Sequence, residues 1–577
     1  MPVVAVDNLR YRYPGQQHLA LDGISFTAEA GEFIGVAGPN LSGKSTLCHA
    51  LVGLVPHFYK GAIGGRVVVA GLDVHKTPVA EVSRRVGLVF QNPFTQMTGS
   101  KLTVYEEAAF GLEYTGVPRE EMVERIDNAL QLLGLWELRD RNPFALSGGQ
   151  MQRLAIASVL VMQPDVLVLD EPTSQLDPAG TREVFDAIAT LCAEGMTVIM
   201  AEHKIELLAA HADRLLLLDD GKLLADDTPR AVLSQHTHKG ARPAVTEAAA
   251  ALAWDMPEGG YPVTVDEAVA IGRKRLSGVT VRGGSNGVAT PTTSHDTDET
   301  SAPVPKPAVI QARAVHFHYT PEAPVLKGIS LDIGPGATAI IGQNGAGKST
   351  FVRLLNGLLK PVQGEIIVGG VDTRTTTVAQ LAHTVGLVFQ NPSDQLFKSR
   401  VIDEVMFGPL NLGASAAEAE SQAREALAQV GLEGVESRNP YDLGLAERKL
   451  VTIASVLSMG TDVVILDEPT IAQDRDGVRR LGELVRTLTA QGRTVITITH
   501  DMDFVAEYFD RVLVFTDGQV LADCDAATVF AQLDILQQAA VEPPQVARLG
   551  QALGLPQTTL TVAHFVDYVR SHSSADA

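Results

Sequence analysis

The chain alternates between short apolar runs and longer stretches in which apolar residues recur every three or four positions. EFIGVAG at 32–38, VLVLDE at 166–171 and MTVIMAEH at 196–203 are dominated by aliphatic residues and are too short for ordinary helices. Bounded by glycine, proline or charge, such runs read as buried strands. Between them lie segments such as REEMVERIDNALQLLGL at 119–135, with Met122, Ile126, Leu130 and Leu133 on one face, which predicts an amphipathic helix. Strands alternating with helices predict an α/β fold, a mostly parallel sheet wrapped by helices. The apolar runs Val166–Leu169 and Leu215–Leu218 are far shorter than the ~20 residues that cross a bilayer, so any membrane role would pass through a partner.

The pattern is written twice. GPNLSGKST (38–46) returns as GQNGAGKST (342–350), VGLVFQNP (86–93) as VGLVFQNP (385–392), VLVLDEPT (166–173) as VVILDEPT (463–470), and AEHK (201–204) as THDM (499–502). Over the later part of each copy the offset is a constant 297 residues, joining Ser147 to Gly444, Asp170 to Asp467 and His203 to His500. RPAVTEAAAAL (242–252) loosely matches PPQVARLGQAL (543–553), so each copy ends in a short helical appendage. The segment 277–307 is rich in Gly, Ser, Thr and Pro and poor in large apolar residues, and reads as a flexible tether. The expected division is a first unit at 1–234, its appendage at 235–276, the linker at 277–307, a second unit at 308–535 and its appendage at 536–577.

Composition narrows the class. The 577 residues are 45% hydrophobic and carry a formal net charge of −22, which argues against broad electrostatic capture of nucleic acid or anionic lipid. The three cysteines, Cys48, Cys192 and Cys524, lie far apart and suggest neither a disulfide framework nor a zinc site. MPVVAVDNLRYRYPG has no charged head followed by a long apolar run, so no signal peptide is expected.

The chemistry sits in the repeated motifs. G-x-x-x-x-G-K-S follows an apolar strand and precedes a helix at Gly38–Ser45 and again at Gly342–Ser349. In that context the loop amides and the helix N-terminus cradle phosphate. Candidate ATP ligands are Gly38, Asn40, Ser42, Gly43, Lys44, Ser45 and Thr46 in the first copy, and Gly342, Asn344, Gly345, Gly347, Lys348, Ser349 and Thr350 in the second. Lys44 and Lys348 would neutralise β/γ oxygens, and Ser45 and Ser349 would ligate Mg²⁺. Asp170 and Asp467, at strand ends, suit the metal; Glu171 and Glu468 suit polarising the water that attacks the γ-phosphate. Ser147, Gly148, Gly149 and Gln150 open a helix and offer a hydroxyl and unhindered amides as a second phosphate grip.

Tyr13, the phosphate loop, Gln91, Leu-Ser-Gly-Gly-Gln, Asp170-Glu171 and His203 together resemble an ABC-type ATPase, and the resemblance covers nearly all of both copies. It implies two tandem P-loop NTPase domains, each with a helical subdomain and a small C-terminal appendage, paired head to tail. ATP and Mg²⁺ are the implied cofactors. Each ATP would lie between one unit's phosphate loop and the other's signature. By the same resemblance Tyr13 and Tyr319 stack on adenine, and Gln91 and Gln390 ligate Mg²⁺ and water. Asp177 and Asp474 occupy the loop that crosses the interface, and His203 and His500 contact the γ-phosphate.

On that reading the two sites are unequal. The site of Lys348, Glu468 and His500 receives the intact Ser147–Gln150; the site of Lys44, Glu171 and His203 receives Gly444-Leu445-Ala446-Glu447. The latter lacks the hydroxyl, adds side chains where backbone should approach phosphate, and brings a carboxylate. Arg448 and Lys449, next in sequence, are the side chains placed to make good part of the loss.

The segments VFQNPFTQMTGSKLTVYEEAAFGLEYTGV and VFQNPSDQLFKSRVIDEVMFGPLNLGA resemble the energy-coupling factor (ECF) branch of the family. There, Q-N-P-x-x-Q followed by an apolar residue forms part of a groove for coupling helices, and Phe94, Met97, Leu396 and Phe397 are the candidates here. This resemblance implies a peripheral subunit on the cytoplasmic face of the membrane. Its partners would be a transmembrane scaffold (T-type) subunit and a substrate-binding membrane subunit. Its cargo would be a vitamin, a vitamin precursor, or cobalt or nickel ion. A fused ATPase of a sugar-type importer, or a tandem ATPase acting on ribosomes, is the alternative.

Overall fold

The computed structural model describes residues 2–174, 176–235, 242–276 and 309–573. The expected tether at 277–307 lies outside the described residues. The chain forms two compact units that share one plan and divide between Ile271 and Gly272, except that Gln473–Asp476 groups with the first.

In the first unit a six-stranded sheet runs in the order Lys222–Asp227, Arg214–Asp219, Phe33–Ala37, Thr197–Ala201, Val166–Asp170, Val86–Val89. Every neighbouring pair is parallel except Lys222–Asp227 against Arg214–Asp219. The second unit repeats this with Gln519–Cys524, Arg511–Thr516, Gly336–Ile341, Thr494–Ile498, Val463–Asp467 and Val385–Val388. The expected parallel sheet is therefore present, and with it a layer that the apolar runs did not announce. Val4–Arg12 pairs antiparallel with Leu21–Ala28 and Ala62–Val69, and Ile310–His318 pairs likewise with Pro324–Ile333 and Gln363–Val368.

The continuous apolar strands are explained by burial on both faces. Leu167 and Leu169 point into a core shared with the helical layer, whereas Val166 and Val168 point into one shared with the antiparallel sheet. Val464 and Leu466, against Val463 and Ile465, divide in the same way. The helical layer includes Val104–Glu113, Arg119–Leu132 and Gly148–Leu160 in the first unit, and Val401–Asn411, Ala416–Gln429 and Leu445–Leu457 in the second. In Arg119–Leu132 the predicted face is the buried one: Ile126 and Leu130 are in the core, Leu133 just beyond it is too, and Met122 packs against it.

Each appendage contains a helix pair, Ala244–Ala251 with Val265–Leu276 and Gln545–Ala552 with Val562–Ser573. A threonine hydroxyl ties each together, Thr246 to the Pro262 carbonyl at 2.7 Å and Thr559 to the Val546 carbonyl at 2.9 Å.

Candidate nucleotide site

Each phosphate loop joins a central strand to a helix, Phe33–Ala37 to Lys44–Leu51 and Gly336–Ile341 to Lys348–Leu355. The first glycine of each is obligatory. Gly38 has φ +150° and Gly342 φ +141°, and a Cβ there would stand 2.1 Å from the Leu218 carbonyl oxygen or 2.0 Å from that of Phe515. Lys44 Nζ donates to the carbonyls of Gly38 and Pro39, each at 2.9 Å, and Lys348 Nζ to those of Gly342 and Gln343 at 2.6 and 2.9 Å. One departure was not read from the sequence: Leu41 holds the left-handed backbone (φ +63°) that Gly345 holds in the second unit (φ +83°), with its side chain 85% exposed. Ser42 is buried under the first loop.

The carboxylates stand at the adjoining strand ends. Ser45 Oγ donates to Asp170 Oδ1 at 2.9 Å, and Ser349 stands beside Asp467 at the matching position. Burial, then the neighbouring Glu171 charge, push the Asp170 carboxyl up to about 7, and burial also raises that of Asp467. Asp467 Oδ1 is buried with no hydrogen-bond partner among the described residues, as expected of an oxygen set aside for a cation. Among the described residues no cluster of three or more His, Cys, Asp or Glu could hold a metal. The Ser and Asp oxygens at each strand end and the nearby Gln, together with phosphate oxygens, form an all-oxygen donor set of the kind that suits Mg²⁺.

Glu171 and Glu468 follow with left-handed backbones, φ +47° and +48°, at matching positions. Such strain in a non-glycine residue persists where surrounding contacts over-determine it. The two glutamates are wired differently. In the first unit His203 Nε2 lies 2.8 Å from Glu171 Oε1, and Gln91 Nε2 donates to Oε2. Burial raises the Glu171 carboxyl, but His203 and Lys44 outweigh it and hold it low. In the second unit His500 Nε2 lies 3.4 Å from Glu468 Oε1 and 3.1 Å from Asn344 Oδ1, and burial raises the Glu468 carboxyl.

Tyr13 and Tyr319 sit beside the loops, their hydroxyls 3.2 and 3.4 Å from Thr46 Oγ1 and Thr350 Oγ1. In the second unit Tyr319, Asn344, Gly345, Gly347, Lys348, Ser349, Thr350, Gln390, Asp467 and Glu468 line one cavity of about 310 Å³. That is the lower end of small-ligand clefts, ~300–1,000 Å³.

Ser147, Gly148, Gly149 and Gln150 form the start of helix Gly148–Leu160, with reciprocal capping bonds between Ser147 and Gln150. At Leu445–Leu457 only the return arm has a side chain behind it: the Gly444 amide donates to Glu447 Oε2 at 3.0 Å. Arg448 and Lys449 both make hydrogen bonds back within their own unit. Arg448 Nε donates to the Leu443 carbonyl at 3.0 Å, and Lys449 is buried against carbonyls of its own unit. Asp177 caps helix Pro178–Ala193 through the Gly180 amide at 2.8 Å, and Asp474 directly precedes helix Arg475–Ala490.

The Q-N-P-x-x-Q stretch divides its residues. Phe94 and Phe397 are exposed, 51% and 57%, whereas Met97 and Leu396 are core. The second glutamine is a structural bridge, which sequence reasoning missed. Gln96 accepts from the Phe90 amide at 3.3 Å and donates to the Ala155 carbonyl at 2.8 Å; Gln395 joins Phe389 to Thr452 and Ser455 at 3.1–3.3 Å. Also missed was Glu202, buried beside His203 and accepting from Thr173 Oγ1 at 2.6 Å and from the His203 amide at 2.8 Å.

The ABC transporter family profile matches residues 21–174 and again 326–471. A protein of Caldanaerobacter subterraneus named "Putative ABC transporter ATP-binding protein" is 38% identical over 571 residues, 98% of each chain. One of the same name from Methanosarcina mazei is 36% identical over 99% of this chain and 98% of its own length. This chain belongs to the ABC transporter family. As an ABC transporter ATP-binding protein it binds ATP and hydrolyses it in support of transport. Among solved structures, cbiO1 from Clostridium perfringens, described as part of the ABC transporter complex cbiONQ, is 32% identical; the match covers 43% of this chain and 100% of that one, with a TM-score of 0.38. Among the described residues no helix is long and apolar enough to cross a membrane.

Proposed function

We propose that the chain is the energy-coupling ATPase of an ECF-type importer, peripheral on the cytoplasmic face of the membrane, with one hydrolytic and one degenerate ATP site. The observation that carries the asymmetry is the contrast between the two helix starts. Ser147 presents a hydroxyl above open glycine amides; Gly444 presents none, and a carboxylate, Glu447, takes the place of the Gln150 amide on the N-cap N–H. In a head-to-tail pair the first start serves Lys348, Gln390, Asp467, Glu468 and His500, and the second serves Lys44, Gln91, Asp170, Glu171 and His203. A preorganised donor meets developing charge without reorganisation, and its loss costs about 2.7–4 kcal/mol. A carboxylate one turn away, where the first unit has a neutral amide, repels the anion as well.

In the working site Ser349 and Asp467 would hold Mg²⁺ with Gln390, and the metal would neutralise β/γ charge when bound. Lys348 turns from the Gly342 and Gln343 carbonyls toward phosphate, Tyr319 supports the base, and Glu468 orients the attacking water. Asn344 holds His500 near the terminal phosphate.

The import branch rests on the exposed aromatics after each Q-N-P turn. Phe397 meets Phe407 edge to face at 4.7 Å, with Lys398 Nζ 5.1 and 4.8 Å from the two rings. This aromatic platform, on the segment that follows Gln390 in sequence, suits a helix of a transmembrane scaffold subunit, which would in turn bind a membrane subunit that captures a vitamin, its precursor, or cobalt or nickel ion.

Two measurements test the proposal. Glu468→Gln should abolish ATPase activity while Glu171→Gln spares much of it; the opposite ranking refutes the asymmetry. Purification under mild detergent should bring down the two membrane subunits. Ribosomes, or the membrane domains of a sugar importer, would refute the ECF assignment.

A further inference from the structure

The position that Gln152 fills in the first unit is filled by Lys449 in the second. Lys449 lies on helix Leu445–Leu457, 2% exposed, and its Nζ donates to the carbonyls of Phe389 at 2.6 Å, Gln390 at 3.0 Å and Asp467 at 2.8 Å. An ammonium has three N–H donors, and three acceptors are in place. Two belong to the turn that presents the Gln390 side chain. The third is the carbonyl of the peptide between Asp467 and Glu468. The other side of that peptide is also held, since the Glu468 amide donates to the Ile498 carbonyl at 2.9 Å. The peptide plane is thus pinned at both ends where Glu468 takes its left-handed turn (φ +48°). Gln152, by contrast, donates to the Phe90 carbonyl at 3.4 Å and has one amide group to offer.

We propose that Lys449 is a positioning residue for hydrolysis in the second unit: by bridging the Gln390 turn to the Asp467–Glu468 peptide it sets the distance between the glutamine and the two carboxylates. This rests on the reading that the Lys348–Glu468 pocket is the hydrolytic one. The degenerate helix then has a use in its own unit. What it lacks at its tip, toward the other unit's ATP, is separate from what its second turn does beneath Gln390 and Asp467.

The test compares Lys449→Met, Lys449→Gln and Lys449→Arg in the full chain, purified with its membrane partners. Lys449→Met removes all three donors from a chain of similar length; Lys449→Gln installs the first unit's own residue. The expected result is a kcat for ATP hydrolysis at least tenfold lower in Lys449→Met, KM for ATP within threefold of the parent, and half-saturation by Mg²⁺ shifted to higher concentration. Lys449→Gln should fall between, and Lys449→Arg should recover part of the loss. A packing role alone would lower the thermal midpoint without moving the Mg²⁺ requirement. If Lys449→Met does not fold, Lys449→Gln decides. A folded variant with kcat and Mg²⁺ half-saturation within twofold of the parent overturns the proposal. Glu468→Gln run alongside separates the two levels: if it silences the enzyme while the Lys449 variants do not, only the positioning role fails, and if it leaves activity intact, both readings fall.

Discussion

Ser147→Gly gives the first unit's helix start the residue that the second unit already has. Its two expected effects separate cleanly. The cap itself is weak, since Ser147 Oγ accepts from the Gln150 amide at 3.3 Å and the return arm from the Ser147 amide to Gln150 Oε1 at 3.1 Å needs no hydroxyl. Replacing a serine cap by glycine costs only a few tenths of a kcal/mol, about 1 °C in a domain of this size. The same hydroxyl, exposed at the tip of the helix, is the donor that would meet the terminal phosphate. Losing it should cost about 2.7–4 kcal/mol in the transition state, roughly 10²–10³ in rate. Phosphate release by the full complex at saturating Mg-ATP, with thermal unfolding of the same preparation, reads both. Rate should collapse while the midpoint holds. Gly444→Ser should change the rate little, because Leu445, Ala446 and Glu447 remain. If Ser147→Gly keeps more than half of the parent rate, the assignment of Ser147–Gln150 to the working site is wrong.

Two further outcomes are expected. His49 is held down to about 4 by burial, its ring stacked on Tyr59 at 5.1 Å and its Nδ1 without a partner among the described residues. Between pH 6.5 and 4 the unfolded chain takes up a proton that the folded chain refuses, so stability is full above 6.5 and declines by about 3 kcal/mol as pH falls to 4. His49→Phe should flatten that decline in thermal unfolding, and a difference from the parent that does not change with pH would refute it. Gln395→Leu leaves the Phe389 amide and the Thr452 carbonyl without their bridge and should cost about 1–3 kcal/mol, lowering the melting midpoint by several degrees. An unchanged midpoint would show that water replaces the side chain.

The features legible in the sequence are those whose cause is local. A phosphate loop needs its glycines at fixed spacing, and a buried strand ending in Asp-Glu announces itself, so the pocket could be assembled from short words. The antiparallel layer was harder to read because its strands break their own alternation. Val4–Arg12 shifts register between Val6 and Leu9 around Asn8 (φ +45°), and Ile310–His318 shifts between Ala312 and Val315 around Ala314 (φ +46°). An inserted residue of this kind erases the period of two. Lys449 was illegible for another reason. A lysine amid helical residues normally reaches toward solvent, and only the return of the 389–390 turn and the 467 strand end supplies acceptors for an inward one. The difference in wiring between Glu171 and Glu468 follows no change in the residues themselves. Glutamine, glutamate and histidine are the same in both copies, and the geometry around them differs.

The grip on Glu171 has a temporal consequence. With Gln91 bonded to one oxygen and His203 Nε2 2.8 Å from the other, this carboxylate, on the proposed reading, would meet a water molecule only after a neighbour moves. A nucleotide arriving there meets a lock before it meets a reagent. If the proposed asymmetry holds, such a pocket would keep its nucleotide through several turnovers of the other one.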